Sequence, residues 1–195
     1  MSTSRWDRCI YHLGPHTAPF LREYLGVAHR RVMLIAGAGF DPRSTAAAEL
    51  IGTIAPGRVQ GFFLREERPR PDAPLVSRAD AHEQALKELV PGSTVERVDI
   101  FAPDNAVVGG RGAVRLVNVL PLDDVTDVFV DLSAISVGVA FPIVRHLLGV
   151  TAGRGLRNGT EITSRFAWKM ISSPWIEAEP RRRATWTPMH PESNG

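Results

Sequence analysis

Cysteine is nearly absent: the 195 residues carry one, Cys9. That excludes a disulfide framework within the chain and a cysteine-rich zinc centre. Lysine is almost as scarce. Only Lys87 and Lys169 occur, so the basic charge is arginine. The formal net charge is +2, which does not by itself imply a nucleic-acid partner. The arginine bias has two readings, genomic composition first and phosphate recognition by the guanidinium fork second. No run of about 18 apolar residues is present, so no membrane span is expected. The first eleven residues interleave Arg5, Trp6, Asp7 and Arg8 and do not resemble a secretory signal. A soluble cytoplasmic protein is the expectation. There is no P-loop lysine motif and no Gly-x-Ser-x-Gly elbow. The six histidines are scattered; His12 and His16 are separated by Gly14–Pro15, which breaks any helix that would pair them. No metal site is expected, and the identity of any cofactor is left open.

What is present is a globular composition. Hydrophobic residues make up 44% and charged residues 23%, enough for one domain with a core and some additional chain. Three regions are expected: an extension over residues 1–30 with a short helix at 17–25, an α/β domain over 31–150, and an edge strand with an irregular tail over 151–195. The domain is a succession of strand-then-helix units. Val32–Ala36 is a continuous apolar run, as expected of a strand buried on both faces. Asp41 is placed to cap the helix that follows, with Pro42 at its first position. Ala46, Ala47, Leu50, Ile51 and Ile54 form its apolar face, and Pro56–Gly57 stops it.

A second strand is predicted over 59–64, followed by a charged loop over 65–74. A helix follows over 77–90, with Ala81, Ala85, Leu86 and Leu89 turned inward. The third strand is predicted over 95–101. Asp104 or Asn105 caps a helix that runs to about residue 120, weakened early by Gly109, Gly110 and Gly112. The fourth strand is Val128–Val130. Beyond it, apolar residues at 137, 140, 141, 144, 147 and 148 make a helical stripe, which Pro142 kinks or starts. Residues 162–171 alternate in the manner of an edge strand.

Strands alternating with helices imply parallel pairing through right-handed crossovers. The fold class is α/β, a Rossmann-like, doubly wound, three-layer sheet in the order 3-2-1-4. Such sheets bind ligands outside the carboxyl ends of the strands, where the strand order reverses. Here that point lies between strands one and four. Two segments meet there, Gly37 to Ser44 and Asp131 to Ser136.

Gly37 and Gly39 lack a Cβ and let a ligand approach the backbone, or else make the turn tight. Phe40 and Asp41 follow them. Arg43 offers a fork for phosphate or carboxylate, and Ser44 a hydroxyl. Asp131 is an acceptor for ribose hydroxyls or a tie between loops. Ser133 and Ser136 are donors to a ligand or caps of the next helix. The third glycine of the dinucleotide fingerprint is missing, which argues against classical NAD binding.

This pairing of a small-residue turn after strand one with an aspartate–serine turn after strand four resembles the CARF family, the CRISPR-associated Rossmann-like domains. The likeness spans residues 31–148. Where that family carries a glycine-glycine-threonine-lysine run after the aspartate, this chain has Ala134-Ile135-Ser136-Val137. The resemblance implies a sensor of a nucleotide-like signal, often dimeric.

Three functions compete. One is a binding or sensing module for a nucleotide-like or phosphorylated small molecule. Another is a non-catalytic interaction subunit, in a homodimer or with a protein partner, with the 137–148 helix and the Trp168 and Trp175 region as its contact surface. The last is an enzyme on a nucleotide or sugar-nucleotide, with Asp131 or Asp41 as the acid–base group.

Overall fold

The computed structural model describes residues 14–154 and 167–169. A single 3-10 turn, Gly14–His16, leads into helix α1, Thr17–Leu25. Strand β1, Val32–Gly37, is followed by α2, Ala46–Ile54. Strand β2, Val59–Glu67, is followed by α3, Ala73–Leu89. Strand β3, Thr94–Asp99, is followed by α4, Gly109–Asn118. Strand β4, Asp127–Asp131, is followed by α5, Val137–Arg154, and strand β5 is Ala167–Lys169.

The sheet order is β3-β2-β1-β4-β5, and every pairing is parallel. The Rossmann-like α/β order 3-2-1-4 is therefore present, with a further parallel strand beside β4. That strand covers residues 167–169 of the expected 162–171 edge; the rest of the edge, and the expected irregular tail beyond it, lie outside the described residues. Beta1 pairs with β2 on one side and β4 on the other, so the order reverses between β1 and β4.

Beta1 is buried at all six positions. Its alternate side chains feed two cores. Met33 and Ile35 join Leu64, Val98 and Val130 under Ala113 and Val117 of α4 and Val139, Ile143 and Leu147 of α5. Val32, Leu34 and Ala36 join Phe63 and Phe129 under Leu21 and Leu25 of α1, Ala47 and Ile51 of α2, and Leu86 of α3. A continuous apolar run is what a strand with two dry faces requires.

Helix α1 is stitched to the base of the sheet. The Arg58 guanidinium donates to the carbonyls of Leu25, Val27 and Arg30, tying the end of the helix and the loop after it to the start of β2. Buried Asp127 accepts from the Tyr24 hydroxyl at 2.5 Å, from Arg30 and from Thr126. The Arg30 guanidinium also lies 3.6 Å above the Tyr24 ring centre, a cation–π contact.

Several elements differ from expectation for identifiable reasons. Beta2 continues through Arg65, Glu66 and Glu67, which pair in register with Arg97, Val98 and Asp99. Charge does not end this strand because each charged side chain finds a partner. Arg65 is buried and its Nη1 donates to Asp80 at 2.8 Å on α3, with Glu83 at 3.4 Å. That contact also sets the phase of α3. Ala79, Leu86 and the flanking Val90 are buried, while Ala81 and Leu89 are exposed. The stripe of α5 is likewise rotated: Val139, Ala140, Ile143, Val144 and Leu147 face the core, and Val137 and Phe141 face outward. Pro142 lies inside α5, which begins at Val137.

Candidate functional site

The carboxyl ends of β1, β2 and β4 form one rim, and the two turns picked out in the sequence meet on it. The closest neighbour of Gly37 is the carbonyl oxygen of Ala134, nearer than any Cβ could be accommodated. This glycine is required by the approach of the β4–α5 turn. A Cβ at Gly39 would stand 3.6 Å from the same oxygen, in ordinary contact, so Gly39 keeps open space above it.

The turn after β1 is held from three sides. The Ala38 amide donates to the Leu64 carbonyl at 2.9 Å. The Gly39 carbonyl accepts from the Ser44 hydroxyl at 3.1 Å and from Nδ1 of His82 at 2.7 Å. A carbonyl only accepts, so the His82 proton in this contact is on Nδ1 and, in the neutral ring, Nε2 is the open acceptor. Ser44 is buried and is a structural tie in this arrangement. Phe40 projects from the turn with 47% of its surface exposed.

Asp41 does not cap α2. Its Oδ1 accepts from the backbone amide and Nε of Arg43, both at 2.9 Å, and its Oδ2 accepts from Arg43 Nη2 at 2.7 Å. Residues 42–45 form a turn, and α2 starts at Ala46. The Arg43 fork is thus paired locally rather than standing open in a helical first turn. The Arg43 side-chain hydrogen bond holds the Asp41 carboxyl below its usual range; burial opposes this, and the nearby His82 adds to it. Arg43 is shifted upward, first by its bond to Asp41 and also by the charge of Asp131. Arg43 and Asp131 therefore share one electrostatic neighbourhood.

Across the rim, Asp131 is buried at the end of β4. Its Oδ1 accepts from the Ser133 amide at 2.9 Å and from the Ser133 hydroxyl at 2.6 Å. The Ser133 oxygen, having donated its proton, retains acceptor capacity toward a ligand. Ser136 precedes α5, and its carbonyl accepts from Val139 and Ala140. Its amide donates to Oε1 of Glu66 at 2.7 Å. A carboxylate from β2 thus lies at the positive end of α5, a favoured placement for negative charge.

No protein-family model and no curated protein matches this chain.

Two rim residues were not legible as such in the sequence. Glu66 reads as part of a charged loop, because the second strand is expected to stop at Leu64. His82 looked like one of several scattered histidines. The usable signal was its spacing from Ala79 and Leu86, three before and four after, which puts all three on one face of α3. Among the described residues, no group of three or more His, Cys, Asp or Glu side chains is arranged to hold a metal ion. No described helix is long and apolar enough to cross a membrane.

Proposed function

We propose that this protein is a small-molecule binding or sensing module that takes a nucleotide-like ligand on the rim beside Gly39 and Ser133. The observation that carries the reading is the meeting of the 37–44 and 131–136 turns at the strand-order reversal, where open α/β sheets bind ligands. The residue chemistry supports it. Exposed Phe40 offers a ring face for a base. Ser133 and His82 Nε2 are acceptors for ribose hydroxyls. A phosphate would compete with Asp41 for the Arg43 fork, exchanging one charge-assisted pair for another.

Thermal-shift screening with nucleosides, nucleotides and cyclic oligonucleotides tests this directly. A ligand at 100 times its dissociation constant adds about 2.7 kcal/mol. For a domain of this size that is a rise of about 5–10 °C in Tm. Phe40→Ala should abolish the rise for a base-bearing ligand, and Arg43→Gln should abolish it only for phosphorylated ligands. A folded protein that no member of the panel stabilises at millimolar concentration would overturn the reading.

A further inference from the structure

The start of α5 carries an apolar face that nothing among the described residues covers. Val137 is 68% exposed and Phe141, one turn later, 61%. The same stripe continues to exposed Arg145. Helix α4 lies alongside. A Cβ on Gly110 would stand 2.5 Å from the Gly138 carbonyl oxygen and 2.8 Å from the Pro142 ring. That close approach puts Val107, itself 67% exposed, and exposed Arg111 at the same end of the helix pair. Neither Arg111 nor Arg145 forms an ion pair with a described residue. The patch is apolar at its centre and basic at its border.

The topology brings one segment of the chain to this place. Beta5 runs parallel to β4 and so ends at the carboxyl rim, where α5 begins. Alpha5 is the crossover between those two strands, so its face and the exit from β5 are neighbours. The chain continues from there as Met170-Ile171-Ser172-Ser173-Pro174-Trp175-Ile176-Glu177-Ala178-Glu179. Trp175 follows Lys169 by six positions, a reach of about 20 Å when extended. One layer of secondary structure is about 10 Å deep, well inside that reach. The sequence also matches the patch in chemistry. An apolar pair, Trp175–Ile176, is followed by two acids, Glu177 and Glu179, whose charge is complementary to that of the two arginines.

We propose that residues 170–179 fold back over the start of α5, with Trp175 and Ile176 on Val137 and Phe141 and the following acids against Arg145 and Arg111. This docking is independent of any ligand on the rim.

Fluorine NMR of the full chain carrying 5-fluorotryptophan tests it. Trp175→Phe assigns the Trp175 resonance. In the intact protein that resonance should lie away from the position of a solvent-exposed tryptophan, and a soluble gadolinium chelate should broaden it several-fold less than a free indole. Phe141→Ser, at an exposed position that leaves the fold intact by far-UV circular dichroism, should return it to the exposed position. Val137→Ser should do the same in part. Arg145→Glu should shift it in the same direction, and Glu177→Arg added to that variant should restore it. A Trp175 resonance at the exposed position in the unaltered protein overturns the proposal, and so does one that Phe141→Ser and Val137→Ser leave in place. A response that disappears on dilution, with a change in oligomeric state, assigns the face to a second copy of the chain and equally overturns it.

Discussion

The Cα of Gly37 lies against the carbonyl of Ala134, with no room between them for a methyl group. Gly37→Ala must push the β4–α5 turn away from β1. Overpacking of this kind costs about 1–3 kcal/mol, and backbone on the far side leaves little scope for relief. The expected loss in Tm is about 2–12 °C at the usual sensitivity of a domain this size. Gly39→Ala, two residues on, meets the same oxygen only at ordinary contact distance and should change Tm by less than a quarter as much. Thermal denaturation of the two variants side by side measures the difference. The Gly39 variant is then the cleaner probe of ligand approach, since its fold is retained.

Glu66 and Ser136 are seventy positions apart and joined by one hydrogen bond across the end of β1. Glu66→Ala leaves the Ser136 amide without its acceptor, a loss of about 1–3 kcal/mol. Glu66→Gln keeps an acceptor oxygen and forfeits the attraction between the carboxylate and the helix end, about 0.3–1 kcal/mol, and the weak, partly exposed ion pair with Arg68. Urea unfolding should rank the variants wild type, Gln, Ala, with unchanged slopes. An Ala variant as stable as the Gln variant would show that the bond contributes nothing.

Arg65 is buried at the end of β2, between Asp80 and Glu83 of α3. Arg65→Met fills much of the volume and strands the acids. Removing one member of a fully buried pair costs about 3–5 kcal/mol; Asp80 is largely solvated here, so about 2–3 kcal/mol is expected. Arg65→Lys should recover only part, because a single ammonium cannot keep the Nη1 contacts to Asp80 and Glu83 together with the approach of Nε to Glu67. Chemical denaturation of both variants provides the check.

The Asp41–Arg43 pair sets a pH dependence with a definite sign. The folded-state pKa of Asp41 is depressed, above all by the Arg43 hydrogen bond. The pair's contribution is therefore present above the unfolded carboxylate range, about pH 4, and is lost as pH falls through the lower folded value. In Arg43→Gln the Asp41 titration should move upward, and acid unfolding should begin at slightly higher pH. NMR titration of the Asp41 side-chain carboxyl carbon reads the first effect. Both groups are substantially solvated, so the effect on stability near neutral pH should be small.

The parts of this fold governed by local periodicity were legible in the sequence. Val32–Ala36 announced a strand with two buried faces, and alternation of strands with helices implied the order found. The meeting of the Gly37 and Asp131 turns followed from that order. The failures share one cause. Arg65 and Glu66 read as loop because charge within a strand is costly unless a distant element neutralises it, and the distant elements are α3 and the start of α5. Asp41 reads as a helix cap because Asp-Pro before an apolar stripe has that form; Arg43, two residues on, claims the carboxylate instead. Val137 and Phe141 fall on one helical stripe with Ala140, Val144 and Leu147 by spacing. Val139 and Ile143 fit a helical period equally well, and they are the ones that pack against the sheet and α4, leaving Val137 and Phe141 outside.

Helix α1 has a practical bearing on where this protein can be cut. Leu21 and Leu25 roof the strip formed by Val32, Leu34 and Ala36, and Arg58 clasps the end of that roof. A fragment trimmed to begin at the first strand would expose the part of the strip that Leu21 and Leu25 cover and leave the Arg58 guanidinium without its acceptors. Such a fragment is expected to be less stable than the full chain and more prone to aggregate on expression.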